Sequence, residues 1–268
     1  MTPPWKGKWA LVTGASAGIG AALARELAAD GANLVLTARR TDRLEALARE
    51  LASAHKISAE IFSADLTQPN APEQIFAFTL GKKIEIEVLI NNAGFGKYGE
   101  FTKADTHRLV EMVQVNCAAV VHLSRLYLPE MVKRRRGYVM IVASTASFQA
   151  VPYLSTYAAT KAFDLLLAEG LAEEMRPHGV FVCALCPGST ESEFGEVAGQ
   201  SSLAASRRNR ETAEKVAHVG LKALAAGKSY VVSGTGNYLG VHSQRLVPRR
   251  WVAHIAARMF RPTPVKPA

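Results

Sequence analysis

The sequence predicts an α/β protein: a single domain built on one doubly wound parallel sheet of seven strands, with helices on both faces. Two observations carry this. Apolar, strand-like runs alternate with helix-period patterns nearly throughout the chain. The 268 residues, 49% of them hydrophobic, also suffice for one large core. Right-handed crossovers between parallel strands then wind the sheet in both directions.

The elements follow in order. WALVT leads into ALARELAAD, where Leu23, Ala24 and Leu27 recur at helical spacing. NLVLTA precedes TDRLEALARELA, AEIFSA precedes PEQIFAFTL, and EVLINN precedes a long helix running through Val110 to Leu126. YVMIVAS leads to a helix from Tyr157 to Met175, VFVCALC to a helix around Ala213 to Ala225, and YVVSG supplies the seventh strand. The strand runs are apolar without alternation, as strands covered on both faces require. The long irregular stretch after Pro187, about residues 189–210, reads as a lid.

Composition narrows the setting. No run approaches the roughly 18 apolar residues of a membrane span, and MTPPWKGK enters the first strand without a signal-peptide core. A soluble, cytoplasmic protein is expected. Cys117, Cys183 and Cys186 give no disulfide framework. Cys183 and Cys186 stand three apart in a strand, so they point to opposite faces and read as small core residues, not as a metal or redox pair; no metal site is expected.

The net charge of +9 is concentrated at the C-terminus, where residues 207–268 carry 12 Lys and Arg against 2 carboxylates. There Val247, Trp251, Ile255 and Met259 recur at steps of four, with Val252 and Phe260 alongside and Arg249, Arg250, His254 and Arg258 elsewhere. Residues 235–268 therefore read as a basic amphipathic extension. Docking on the domain or a sister subunit is favoured over contact with an anionic membrane surface. No nucleic-acid-binding motif is present.

The chemistry centres on YAATK. Tyr157 and Lys161, four apart, share a helix face, so the ammonium can favour the phenolate and lower the tyrosine pKa. Ser144 ends a buried strand, at the edge where open α/β sheets bind ligands, although a serine there also suits a turn cap. TGASAGIG, Thr13 to Gly20, stands at the first strand-to-helix junction. Its glycines allow a tight turn and close approach to a pyrophosphate. The second strand ends in Ala38, Arg39 and Arg40 where an NAD site would place an acid; arginine pairs with a 2′-phosphate, which indicates NADP(H). Asp65 and Leu66 offer an acceptor and an apolar wall for adenine, or a helix cap. The asparagines of NNAG, Asn91 to Gly94, suit side-chain to backbone bonds that fix a loop. Asn116 lies in an apolar helical stretch, where its amide needs partners.

In this order, TGxxxGxG, NNAG, a mid-helix Asn, Ser, YxxxK and a PG loop resemble the short-chain dehydrogenase/reductase family, in its subclass of about 250 residues. The resemblance covers about residues 8 to 232. It implies a Rossmann-like dinucleotide-binding and catalytic domain over residues 1–234 and an NADP(H)-dependent oxidoreductase. Tyr157 would be the general acid, Ser144 the donor that polarises the carbonyl, Lys161 the residue that holds the nicotinamide ribose, and Asn116 the support of a water-linked proton relay. Gly14, Ser16, Gly18, Ile19, Gly20, Arg39, Arg40, Asp65, Leu66, Asn92, Ala93 and Gly94 would bind cofactor, together with Tyr157, Lys161, Pro187, Gly188 and Thr190. Ser192 stands where the family often has threonine. A homodimer or homotetramer is the family expectation.

Phe95, Tyr98, Phe148, Tyr153 and Phe194 fall near these strand ends, and their bulk suits an apolar or aromatic ketone or aldehyde. The leading expectation is a carbonyl reductase acting on a small carbonyl or alcohol. The alternatives are a 3-oxoacyl thioester reductase and a non-catalytic NADP(H)-sensing protein.

Overall fold

The computed structural model describes residues 3–199 and 210–262. Its strands are β1 (Trp9–Thr13), β2 (Asn33–Ala38), β3 (Ala59–Ser63), β4 (Ile86–Asn91), β5 (Gly137–Val142), β6 (Val180–Cys186) and β7 (Tyr230–Val232). They form one parallel sheet in the order β3-β2-β1-β4-β5-β6-β7. The order reverses between β1 and β4, which opens a crevice beyond their C-terminal ends.

Helices α1 (Gly18–Ala29), α2 (Thr41–His55), α3 (Ala71–Gly81), α4 (Thr106–Val113), α5 (Ala119–Arg134) and α6 (Ser155–Met175) cover the sheet, and α7 (Phe194–Val197) is a single turn. Helices α8 (Ala213–Ala225), α9 (Thr235–Ser243) and α10 (Arg249–Phe260) follow. Successive strand residues feed opposite cores. Ala10, Val12, Ile90 and Leu185 pack with α1, α2 and α8. Leu11, Leu89, Ile141 and Ala184 pack with α3, α5 and α6. Cys183 lies in the first core and Cys186 in the second, so the two thiols face apart.

Three segments differ from the sequence expectation. The long helix through Val110 to Leu126 is interrupted by a π turn at Gln114–Ala118. That turn carries Asn116, whose polar contacts occupy an otherwise apolar pattern. Helix α9 has no sequence counterpart, because Gly236 and Gly240 weaken its helical signal, and burial of Val241 helps hold it. Helix α10 does form, but the stripe picked out at steps of four faces solvent: Trp251, Ile255 and Met259 are 53%, 51% and 64% exposed. Its docked residues are Ala256, which is buried, and Phe260, which packs on Val151, Leu154 and Ala158. No described helix is long and apolar enough to cross a membrane. Of the expected lid, residues 200–209 lie outside the described residues.

Candidate active site

A cavity of about 460 Å³ runs from the β1–α1 turn, past the C-terminal ends of β4 and β5, to Tyr157. Gly14 stands at φ +66°, and a Cβ there would lie 2.8 Å from Asn92 Nδ2 and 2.9 Å from Ala93 Cα, so only glycine lets the two loops meet. Thr13 Oγ1 accepts from the Asn92 and Ala93 amides at 2.9 and 3.0 Å, and Asn92 Nδ2 donates to Thr13 O at 2.8 Å. These bonds fix the end of β4 against the end of β1. Asn91 instead donates to Ser124 Oγ in the core. The N-terminus of α1 has no side-chain cap and no acidic residue in its first turn. Its amide groups and dipole therefore remain available to an anion.

The arginines stand at the adjoining rim. Both Arg39 and Arg40 line the cavity. Arg40 donates to Ser16 Oγ at 3.2 and 3.1 Å and to Glu193 Oε2 at 2.8 Å, while Arg43 donates to Glu193 Oε1. A carboxylate is thus held between two guanidinium groups, and the Arg43 and Arg40 hydrogen bonds hold its pKa below the usual range. Sequence reasoning missed Arg43 and Glu193. The signal for Arg43 was available, since it lies three residues after Arg40 at the start of α2; Glu193 comes from a distant loop.

Asp65 Oδ1 accepts from the Thr67 amide at 3.1 Å, capping the local turn, and Asp65 and Leu66 both line the cavity. Pro187, Gly188 and Thr190 line its far side. Pro187 O receives the Thr145 amide at 2.9 Å, and Thr190 Oγ1 donates to Gly188 O at 3.2 Å. Ser192 Oγ receives the Phe194 amide at 3.4 Å.

At the reactive end, Ser144 caps a short 3₁₀ turn, Thr145–Phe148, accepting from the Ala146 amide at 3.1 Å. Ser147 Oγ donates to Lys161 O at 2.7 Å and accepts from the Ser144 amide at 3.2 Å, joining this turn to α6. The Ser144 hydroxyl lies near enough to the Tyr157 phenol to pull its pKa down. Lys161 Nζ donates to Val142 O at 2.7 Å and to Asp164 Oδ2 at 2.9 Å. Ser144, Tyr157 and Lys161 therefore meet on one wall of the cavity.

Asn116 is fully buried and stands behind that wall. Its Oδ1 accepts from the Phe95 amide at 3.1 Å; its Nδ2 donates to Phe95 O and to Thr160 Oγ1, each at 3.0 Å. It ties the β4 loop to α6. Gly94 completes the approach: a Cβ there would lie 3.1 Å from Asn116 Oδ1 and 3.4 Å from Lys161 Nζ.

The expected fall of the Tyr157 pKa is corrected. Burial, the largest influence, pushes the phenol up; Lys161 and the Ser144 hydrogen bond pull it down without overcoming burial, and Asp164 adds to the rise. Residue spacing shows the ammonium beside the phenol but not the burial that outweighs it.

The apolar wall is also corrected. Phe95 and Phe194 line the cavity, together with Val115, Val151, Leu154 and Phe260. The Phe194 ring lies 5.1 Å from that of Tyr157, and the Arg108 guanidinium sits 3.8 Å from the Phe95 ring centroid. Tyr98, Phe148 and Tyr153 are not among the lining residues. Phe148 turns towards Tyr230 and His242. Tyr98 spends its hydroxyl on Phe260 O at 2.8 Å, and the Tyr153 carbonyl receives the Gly99 amide from the loop after β4 at 2.9 Å.

A family model described as short chain dehydrogenase matches residues 8–202. The chain is 35% identical over 181 residues to a very-long-chain 3-oxoacyl-CoA reductase of Pyrenophora tritici-repentis, covering 66% of this chain and 53% of that protein. It thus spans about half the length of such curated relatives. Among solved structures, a short-chain dehydrogenase from Sphingobium yanoikuyae in complex with NADPH superposes with a TM-score of 0.81 at 29% identity, covering 97% of this chain and 98% of the other. The bulky-bulky ketone specific alcohol dehydrogenase from Comamonas testosteroni gives 0.77 at 27% identity, covering 89% and 92%. With most of its length matched, and with the glycine-rich turn, Ser144, Tyr157 and Lys161 gathered on one cavity, the chain belongs to the short chain dehydrogenase family.

Proposed function

We propose that the protein is an NADP(H)-dependent oxidoreductase that interconverts an apolar ketone or aldehyde with its alcohol, acting as a carbonyl reductase. The observation that carries this is the single cavity that joins an anion-ready helix N-terminus and an arginine rim to Ser144, Tyr157 and Lys161. The glycine cradle and the uncapped start of α1 fit a pyrophosphate, and the guanidinium pair that holds the Glu193 carboxylate fits a 2′-phosphate. When bound, the nicotinamide cofactor supplies or accepts the hydride.

The chain's own residues do the rest. Reduction builds negative charge on the carbonyl oxygen, and Ser144 and Tyr157 supply two hydroxyl donors to it. Tyr157, held protonated by burial, gives its proton to that oxygen. Lys161 keeps an ammonium beside the phenol, and Asn116 holds the Phe95 loop against α6. Phe95, Val151, Leu154, Phe194 and Phe260 exclude water and favour an apolar substrate.

A second reading, reduction of a 3-oxoacyl thioester, is favoured by the name of the fungal relative. One assay separates the two: NADPH consumption with alkyl and aryl ketones, aldehydes, steroids and 3-oxoacyl thioesters, with NADH in parallel. NADPH-dependent turnover of free ketones that Y157F abolishes, while that variant still binds NADPH, is the expected result. Turnover of thioesters alone selects the second reading. Full activity in Y157F overturns the chemistry, and NADPH binding without turnover of any class favours a sensing protein.

A further inference from the structure

We propose that Asp164 is a positioning residue for the Tyr157–Lys161 pair: its carboxylate pins the Lys161 ammonium against Val142 and screens that charge from the phenol. The proposal rests on the oxidoreductase reading above, in which Tyr157 moves the proton. Position 164 lies three residues after Lys161 and seven after Tyr157, so all three share one face of α6. The ion pair is closed to water, the side chains of Lys161 and Asp164 being 6% and 0% exposed.

The donor inventory shows what the contact does. An ammonium has three N–H groups. Val142 O takes one and Asp164 Oδ2 another, which leaves one for the cavity that Lys161 lines. The flexible lysine is thereby fixed with a single donor directed at a ligand. On the carboxylate, Oδ1 is buried and has no hydrogen-bond partner among the described residues. Asp164 is thus committed to Lys161 and is not shared with a wider network.

Electrostatics follow from this geometry. Burial pulls the Lys161 pKa down, but Asp164 and Tyr157 outweigh it and hold the pKa above its ordinary value. The same carboxylate opposes ionisation of Tyr157 and offsets part of the pull of the lysine towards phenolate. Among the described residues, the other titratable groups that bear on the pair are two thiols. Cys117, from the π turn, is pushed up to about 12 by burial, and Cys186, from β6, is pushed higher still by burial. Neither thiol changes charge near neutrality. Asp164 thereby adds to burial in extending the range over which Tyr157 remains an acid.

The sign is fixed. Carbonyl reduction needs the phenol, and alcohol oxidation needs the phenolate. With Lys161 still charged, removing the carboxylate lowers the Tyr157 pKa, so the alkaline limb of kcat/KM for reduction moves to lower pH. Reduction on that limb then falls, and oxidation on its acid limb rises. The test uses D164N, close to isosteric, and D164S, smaller, in the full chain. The first readout is the ultraviolet titration of the cofactor-free protein, where the difference between each form and its Y157F counterpart isolates one phenol among seven. The second is the pH profile in both directions.

The expected result is a shift of the Tyr157 titration and of both limbs to lower pH in D164N and D164S alike. A titration that does not move or that moves to higher pH, or a loss of rate equal at every pH, overturns the proposal. The two readings fail separately. A shifted titration in a protein that reduces no carbonyl defeats the oxidoreductase reading and leaves the screening intact. An unmoved titration in an active reductase does the reverse.

Discussion

Arg40 and Glu193 meet at the rim of the cavity, Nη1 to Oε2 at 2.8 Å, although 153 residues separate them. Arg43 closes on the other carboxylate oxygen. A 2′-phosphate would compete with Glu193 for these guanidinium groups. R40A should therefore weaken NADPH binding roughly ten- to a hundredfold, the cost of losing a charge-assisted hydrogen bond, while NADH binding changes little. E193Q should tighten NADPH, by about fivefold at most, because an exposed ion pair is a weak competitor. Fluorescence titration with both cofactors measures each value. Equal losses for NADPH and NADH in R40A would remove Arg40 as the source of cofactor preference.

The same contact predicts a pH dependence. The folded-state pKa of Glu193 is depressed by Arg43 and Arg40, so its contribution to stability is present above the ordinary carboxylate value and is lost as pH falls through the depressed one. Urea unfolding of the protein and of E193Q should differ at neutral pH and converge in acid. The difference will be small, since both partners are about two-fifths exposed. A gap that widens on acidification contradicts the assignment.

The parts of this site that were legible in the sequence are local. Seven strands could be read because each is a short apolar run bounded by turn residues. The glycine-rich turn, NNAG, Ser144, Tyr157 and Lys161 followed because sheet topology brings strand ends to one edge. Partnerships across the fold were not legible. Arg40 was named without Glu193, since nothing local links α2 to the loop after β6. Lys161 was named without Asp164, although three residues apart, because spacing shows a shared face and not which charge is compensated. The stripe of Trp251, Ile255 and Met259 was visible as apolar, but amphipathicity does not say which part of the arc meets the domain; the small Ala256 and the terminal Phe260 do.

Asn116 tests the support behind the catalytic wall. Its amide satisfies both backbone groups of Phe95 and reaches Thr160, all three contacts buried. N116A leaves those groups without partners in a site closed to water, and should cost about 2–4 kcal/mol. Urea unfolding should show a lower midpoint at an unchanged slope. Activity should fall as well, because Phe95 and Gly94 lie on the loop that faces Lys161. Unchanged stability would show that water replaces the amide at this position.

Tyr98 connects the C-terminal helix to the substrate end of the cavity. Its hydroxyl donates to Phe260 O at 2.8 Å, and Phe260 lines the cavity while packing on Val151, Leu154 and Ala158. Y98F keeps the ring and removes only this bond, so overall stability should fall by about 1 kcal/mol. The functional effect should depend on size. A bulky ketone that reaches Phe260 meets a wall no longer held in place, and its KM should rise severalfold with kcat little changed, because the contact orders the pocket and takes no part in proton transfer. A small aldehyde, reacting beside Ser144 and Tyr157, should keep its KM. Steady-state kinetics of the two substrate classes decide the point: an equal rise for both would place the effect of Tyr98 on the whole site, and no change for either would show that the end of α10 does not contact substrate.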